Sequence, residues 1–199
     1  MSAPDVVLVD AGGTNIGSVR YALERLGIDA SVTHNEARIR SASHVILPGV
    51  GAAGPAMRKL ESHGLVDVVR GLKQPVLGVC LGMQLLFEHS EESDTSCLGV
   101  IPGQVRRIPV APACRVPHMG WNRLDVLRED PLLRELPEKS FAYFVHSYAV
   151  TSETHALATS GHGTVLAAVV REKNFCGMQF HPERSAAVGA RLLENFLSL

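Results

Sequence analysis

No apolar run in this sequence approaches the roughly 18–20 residues that a membrane-spanning helix needs, and neither sign of charge dominates. The formal net charge of the 199 residues is −1, which excludes a generally basic nucleic-acid or membrane-surface binder. The opening stretch Met1-Ser2-Ala3-Pro4-Asp5 lacks the basic and apolar regions of a secretory signal, so a cytoplasmic protein is expected. Cysteine is scarce. The four present, Cys80, Cys97, Cys114 and Cys176, form no CxxC pair, so a zinc site of the usual spacing is not expected, and nothing calls for another metal or a cofactor. In a cytosolic chain they are reduced, and three of them read as small buried hydrophobes. Internal repeats and low-complexity tracts are missing too. The composition, 46% hydrophobic and 20% charged, is that of a globular chain, and the length suits a single domain over residues 1–199.

Three short apolar runs read as buried strands: Val6 to Val9, Val45 to Leu47 and Val76 to Val79. A helical pattern follows each. After the first, Ile16, Val19, Leu23 and Leu26 recur at helical spacing, with Asn15 as the N-cap and Gly27 as the stop. After the second, Met57 and Leu60 begin another apolar face, and after the third Leu81 to Glu88 reads as a short helix. Alternation of this kind predicts an α/β fold, flavodoxin-like, with a central, mostly parallel sheet flanked by helices. The second half is different. Residues 103–108, 121–127, 141–150, 156–160, 165–170 and 175–180 all read as strands, which predicts an antiparallel extension. A last helix is expected over 188–197, and surface loops over the polar stretch 91–96 and the proline-rich stretch 109–117.

The sharpest local signal is Gly78-Val79-Cys80-Leu81-Gly82, where an apolar strand hands over to a helix. This is the spacing of a nucleophile elbow with cysteine in place of serine. A sharp turn holds the nucleophile in a strained backbone conformation, and glycines two residues to either side let strand and helix approach. The sulfur then sits at a helix N-terminus, where free N–H groups favour an anion. The N–H of Leu81 points to where an oxyanion would form. A thiolate needs a base, and the base an orienting carboxylate. His181 and Glu183 in Gln179-Phe180-His181-Pro182-Glu183 are the candidates. Read as an extended segment, side chains two apart project to one side, at the sheet edge where open α/β sheets keep their sites. The glycines of Leu47-Pro48-Gly49-Val50-Gly51 let a backbone amide face a ligand. That run reads either as a second oxyanion donor or as an ordinary strand-to-helix turn. It is not a Walker A loop, because no Gly-Lys-Ser/Thr follows.

The run Gly78 to Gln84 together with His181-Pro182-Glu183 resembles the class I glutamine amidotransferases. Three further stretches, Leu47 to Gly51 followed by Ala56-Met57, Pro117-His118-Met119-Gly120-Trp121-Asn122, and Phe144-Val145-His146-Ser147-Tyr148, are similar to the glutaminase subunits of imidazole glycerol phosphate synthase. The similarity runs from Asp10 to Phe196. It implies a Cys80–His181–Glu183 triad that hydrolyses L-glutamine through a glutamyl thioester. It also implies an oxyanion hole from the amides of Leu81 and the Gly49-Val50-Gly51 segment, and contacts to glutamine from Gln84, Glu92, Ser147 and Tyr148. Glu92 would meet the substrate's amino group, a charge-assisted contact. The implied partner, in a heterodimer, is a (β/α)₈-barrel synthase/cyclase subunit of about 250 residues, expected as a separate chain. Ammonia would cross the interface into that barrel. Asn15, Met119, Trp121, Tyr143 and Arg184 match positions that face it. Two departures stand out: Ala11-Gly12-Gly13-Thr14-Asn15 where an aromatic and a second glycine are usual, and Arg184 where lysine is common. Three other functions fit parts of the pattern. A glutaminase serving another synthase, such as pyridoxal phosphate synthase, would keep the triad but lack the Pro-His-Met-Gly-Trp-Asn run. A stand-alone cysteine hydrolase would act without a partner. A non-enzymatic binding subunit would have lost a member of the triad.

Overall fold

The computed structural model describes residues 3–12, 15–110 and 114–199. Gly13 and Thr14 of the unusual first turn, and part of the proline-rich stretch, lie outside them. The first strand, β1 (Val6–Val9), leads to α1 (Ile16–Arg25), then β2 (Ser31–Thr33), α2 (Glu36–Ser41) and β3 (His44–Leu47). After these come α3 (Ala53–Ser62), α4 (Val66–Arg70), β4 (Val76–Val79) and α5 (Leu81–Leu85). The second half runs β5 (His89–Ser90), β6 (Thr95–Ser96), β7 (Gln104–Arg107), β8 (His118–Val126), β9 (Ser140–His146) and β10 (Tyr148–Ala149). It closes with β11 (Ala156–Gly161), β12 (Val165–Glu172), β13 (Phe175–Met178) and α6 (Ala186–Phe196).

Nine strands form one sheet in the order β2-β1-β3-β4-β13-β12-β11-β8-β9. The first five are parallel neighbours, and from β13 to β9 every pairing is antiparallel. Both faces of the parallel part are covered, which is why its strands are unbroken apolar runs. Val7, Val9, Val45 and Leu47 pack into one core with α3, α4 and α5 residues such as Met57, Leu60, Val69 and Met83. Their neighbours Val6, Leu8 and Ile46 pack on the other face with Val19 and Leu23 of α1 and Leu192 and Phe196 of α6. Among the described residues no helix is long and apolar enough to cross a membrane.

Several local expectations change. Gly27 does stop α1: at φ +79° it lets Ile28 N–H bond the Leu23 carbonyl and its own N–H bond that of Glu24, a Schellman ending. Asn15 occupies the N-cap position, but its side chain makes no cap bond; it is used elsewhere. The stretch 91–96 is not a plain surface loop. It joins β5 to β6 in a second sheet of order β10-β7-β5-β6, and its Thr95 is buried. Helix α5 ends at Leu85 rather than Glu88.

The parallel strands β3, β4 and β13 are adjacent, with Leu47 beside Gly78 and Gly78 beside Gly177. Their C-terminal ends therefore deliver Gly49–Gly51, Cys80 and His181 to one edge of the sheet. The approach is tight. A Cβ on Gly82 would lie 1.8 Å from the Leu47 carbonyl oxygen, and one on Gly78 would lie 2.5 Å from that of Gly82. Backbone cannot yield there, so Gly82→Ala is expected to destabilise the fold by about 3 kcal/mol or more. Gly17→Ala, in α1, where the added carbon meets no described atom within 4 Å beyond its chain neighbours and its own helix backbone, is expected to stabilise by about 0.5 kcal/mol. Urea unfolding of the two variants checks both signs.

Candidate active site

Cys80 stands between β4 and α5 with φ 51° and ψ −108°. This is a positive-φ conformation that costs a non-glycine residue roughly 1–3 kcal/mol. The bond from Cys80 N–H to the Met178 carbonyl (2.8 Å), the Gly78–Gly82 packing and the first turn of α5 hold it there. The residue is nearly buried. Its sulfur lies 3.8 Å from Gln179 Nε2 and 3.9 Å from the Val145 carbonyl oxygen. Leu81 is the first residue of α5, so its N–H has no partner within the helix.

His181 follows β13, and its N–H bonds the Tyr143 carbonyl at 2.9 Å. The link to Glu183 is not made by an extended segment. Residues Pro182–Arg184 form one turn of 3-10 helix, which swings the carboxylate back so that Oε1 accepts from His181 Nδ1 at 2.8 Å. Both side chains are almost wholly buried. The amide of Asn15 donates to the same Oε1 at 2.5 Å. That bond accounts for the missing helix cap and makes Asn15 a support for Glu183. Burial alone would lower the proton affinity of His181, but the Cys80 sulfur and the Glu183 carboxylate outweigh it and raise it well above the usual imidazole value. Among the described residues no hydrogen bond reaches Nε2 of His181, so the influence of Cys80 is that of a neighbouring sulfur rather than a made bond. Glu183 moves the opposite way. Burial raises its pKa, and the bonds from His181 and Asn15 bring it below the ordinary carboxylate range.

Cys80, Leu81 and His181 line a cavity of about 380 Å³ together with Val50, Gly51, Gln84, Glu92, Val145, His146, Ser147 and Tyr148. Gly49 is not in its wall. The space a Gly49 side chain would need is occupied by Gly82 N and Leu81 Cβ, so this glycine packs the elbow. Gln84 donates both amide protons inward, to the Tyr148 carbonyl at 2.8 Å and to Gln179 Oε1 at 3.1 Å. Glu92 accepts from Ala53 N–H, at the start of α3, at 2.8 Å. Sequence reasoning passed over Gln179 and His146. A second cavity of about 320 Å³ shares Val50, Val145 and His181 with the first and adds Asn15, Ser18 and Arg184. Beside it, the outer face of the β8–β9 pair sets Met119 opposite Val145 and Trp121 opposite Tyr143. Met119 is 63% exposed and Trp121 55%.

The model of the class-I glutamine amidotransferase domain matches residues 7–199. The chain belongs to the class-I glutamine amidotransferases. Two members similar to it are the imidazole glycerol phosphate synthase subunits HisH of Xylella fastidiosa (strain Temecula1) and Xanthomonas euvesicatoria pv. vesicatoria. They are 56% and 57% identical over 195 residues, and each match covers 98% of both chains. Among solved amidotransferase-like structures, a Thermoplasma acidophilum protein described as part of a GMP synthase superimposes with a TM-score of 0.76 at 20% identity. That match covers 100% of this chain and 94% of the other, a likeness of fold.

Burial and neighbouring histidines hold two other imidazoles neutral in this amidotransferase: His118, lowered to about 3, and His146, lowered to about 4. Both lie below the unfolded value of about 6.5, so the unfolded chain takes up protons first and stability falls as pH drops from about 6.5 toward 4. The contribution of His181 has the reverse sign. It is complete below about 6.5 and is lost as pH rises through the raised folded value. Ring ¹⁵N spectra at pH 5 should therefore show neutral imidazoles at 118 and 146 beside a charged one at 181.

Proposed function

We propose that this chain is the glutaminase subunit of an imidazole glycerol phosphate synthase. It would hydrolyse L-glutamine with Cys80, His181 and Glu183 and supply the ammonia to a (β/α)₈-barrel synthase subunit. The observation that carries the reading is the left-handed Cys80 at the β4–α5 junction, sharing one cavity with an imidazole bonded to a buried carboxylate. In the proposed reaction the sulfur anion attacks the side-chain amide carbon of glutamine. The carbonyl oxygen takes the negative charge beside the N–H of Leu81 and an amide of the Val50–Gly51 segment. The protonated His181 gives its Nε2 proton to the departing nitrogen, and the C–N bond breaks to leave a glutamyl thioester and ammonia. His181, now neutral, accepts a proton from the water that attacks the thioester. Glutamate then leaves and the sulfur anion and imidazolium are restored. Glu183 holds the ring and balances its charge, and Asn15 holds Glu183.

The carbonyl oxygen of Gln84, Glu92 and the Ser147–Tyr148 segment would hold glutamine in the first cavity. The second cavity, behind His181, supports an exit for ammonia toward the face that carries Met119, Trp121, Tyr143 and Arg184, where the barrel would dock. An exposed tryptophan and methionine on one sheet face suit an interface anchor. The Pro-His-Met-Gly-Trp-Asn run and the relatives' names favour this synthase over the glutaminase role in making pyridoxal phosphate.

Cys80→Ala is expected to abolish glutamine-dependent synthesis of imidazole glycerol phosphate in the reconstituted complex, while synthesis from ammonium salts persists. Retained glutamine hydrolysis by that variant would refute the nucleophile. Trp121→Ala should weaken association with the barrel subunit about 10- to 100-fold, read by calorimetric titration, with little change in the melting temperature of the free chain.

A further inference from the structure

From His146, which lines the cavity beside Ser147 and Tyr148, runs a chain of side chains that the reaction above does not use. The β8–β9 register sets His118 directly opposite His146, and both are buried. His146 Nδ1 is 2.8 Å from the Tyr148 carbonyl oxygen, which can only accept, so that nitrogen carries the proton and Nε2 does not. His118 Nδ1, 3.0 Å from His146 Nε2, must then donate, leaving His118 Nε2 to accept from Asn122 Nδ2 at 3.0 Å. The Asn122 amide is itself oriented by two backbone groups. Arg123 N–H donates to its Oδ1 at 2.8 Å, and its Nδ2 donates to the Gly161 carbonyl at 2.8 Å. His118 is clamped between the rings of Phe144 and His162, at centroid distances of 4.6 and 4.1 Å. Backbone anchors at both ends thus leave one proton arrangement, with each imidazole neutral and both nitrogens bonded. The low proton affinities of both rings agree with that arrangement.

The chain ends on the carbonyl that also accepts from Gln84 Nε2. With its second proton on Gln179 Oε1, Gln84 can turn only its carbonyl oxygen to the cavity. We propose that His146, held in one tautomer by His118 and Asn122, is a positioning residue for glutamine. By fixing the Tyr148 carbonyl it sets both the Ser147–Tyr148 wall and the direction in which Gln84 presents its oxygen. Among the described residues the Cys80 sulfur is bonded by Val145 and Gln179 and not by His146, and His146 moves no proton in the proposed reaction, so its removal should change substrate binding more than the chemical step. The inference rests on the glutaminase reading.

The test uses the full chain assembled with its barrel subunit, with KM and kcat for glutamine hydrolysis measured for wild type, His146→Gln and His146→Asn. An asparagine amide can take the place of Nδ1 and donate to Tyr148, whereas a glutamine amide reaches the place of Nε2 and leaves that carbonyl without its imidazole donor. His146→Gln is expected to raise KM about tenfold with kcat within about threefold of wild type, and His146→Asn to bring KM back within about threefold. Equal KM values for the two variants, or a fall in kcat at unchanged KM, would overturn the proposal. If His146→Gln loses its cooperative melt, His118→Gln, which keeps the acceptor for Asn122 but loses the donor to His146, takes its place with an expected rise in KM of about threefold. An unchanged KM there overturns the proposal equally. A wild-type complex that hydrolyses no glutamine would instead sink the glutaminase reading.

Discussion

The contact on which the site depends is a backbone one, the approach of Gly82 to the carbonyl of Leu47 with no Cβ between them. That approach brings the start of α5 against the end of β3, and Gly78 lets the same turn fold back on β4. Cys80 is then held at positive φ because its neighbours on both sides are already committed: one to a sheet ladder between β3 and β13, the other to a helix. A conformation that would relax in a free loop persists here because the surrounding packing over-determines it. Parallel pairing does the rest. Since β3, β4 and β13 run the same way side by side, whatever follows each of them meets at one edge, and three stretches far apart in sequence share one cavity.

The elements that were legible beforehand share that same physics. β1, β3 and β4 are buried on both faces, so each shows a continuous apolar run with a glycine or a special residue after it. β2 escaped notice because it is an edge strand of three residues, exposed at Ser31 and Val32, and α2 and α4 because they are too short for periodicity to declare itself. At the site, Cys80 and the His181–Glu183 pair could be read because local spacing carries them. Asn15 was read as a helix cap by local rule. Its actual bond is to a carboxylate 168 positions away. No local pattern encodes that choice. A buried carboxylate needs donors more than a helix start exposed to water does.

Two kinds of histidine stand within one small region. His181 gains a sulfur and a carboxylate as neighbours, and its proton is held. His118 and His146 gain a carbonyl, an amide and each other, and theirs cannot exceed one per ring. Burial acts in the same direction on all three, against charge. The difference lies in what each ring meets once buried: a carboxylate and a sulfur for the first, dipoles for the others. Positive charge among these three rings thereby falls on His181 alone, and His146, which lines the cavity, adds no second cation to it.

That difference bears on how the exposed face of β8 and the cavity can be close without interfering. Trp121 and His118 sit three positions apart on β8, and strand alternation sends them to opposite faces. The outward residues can be buried by a partner while the inward ones keep their bonds, because the sheet backbone lies between them. Val145, opposite Met119, Val50 and His181 line both the first cavity and the second, so two valines and one imidazole part the two spaces. Ammonia, small and weakly solvated beside an ion, crosses an apolar constriction more readily than glutamate or ammonium, which would surrender far more hydration. On the proposed function, the two valines favour the passage of neutral ammonia over charged glutamate, and the His181 imidazole is the polar group that ammonia meets on the way.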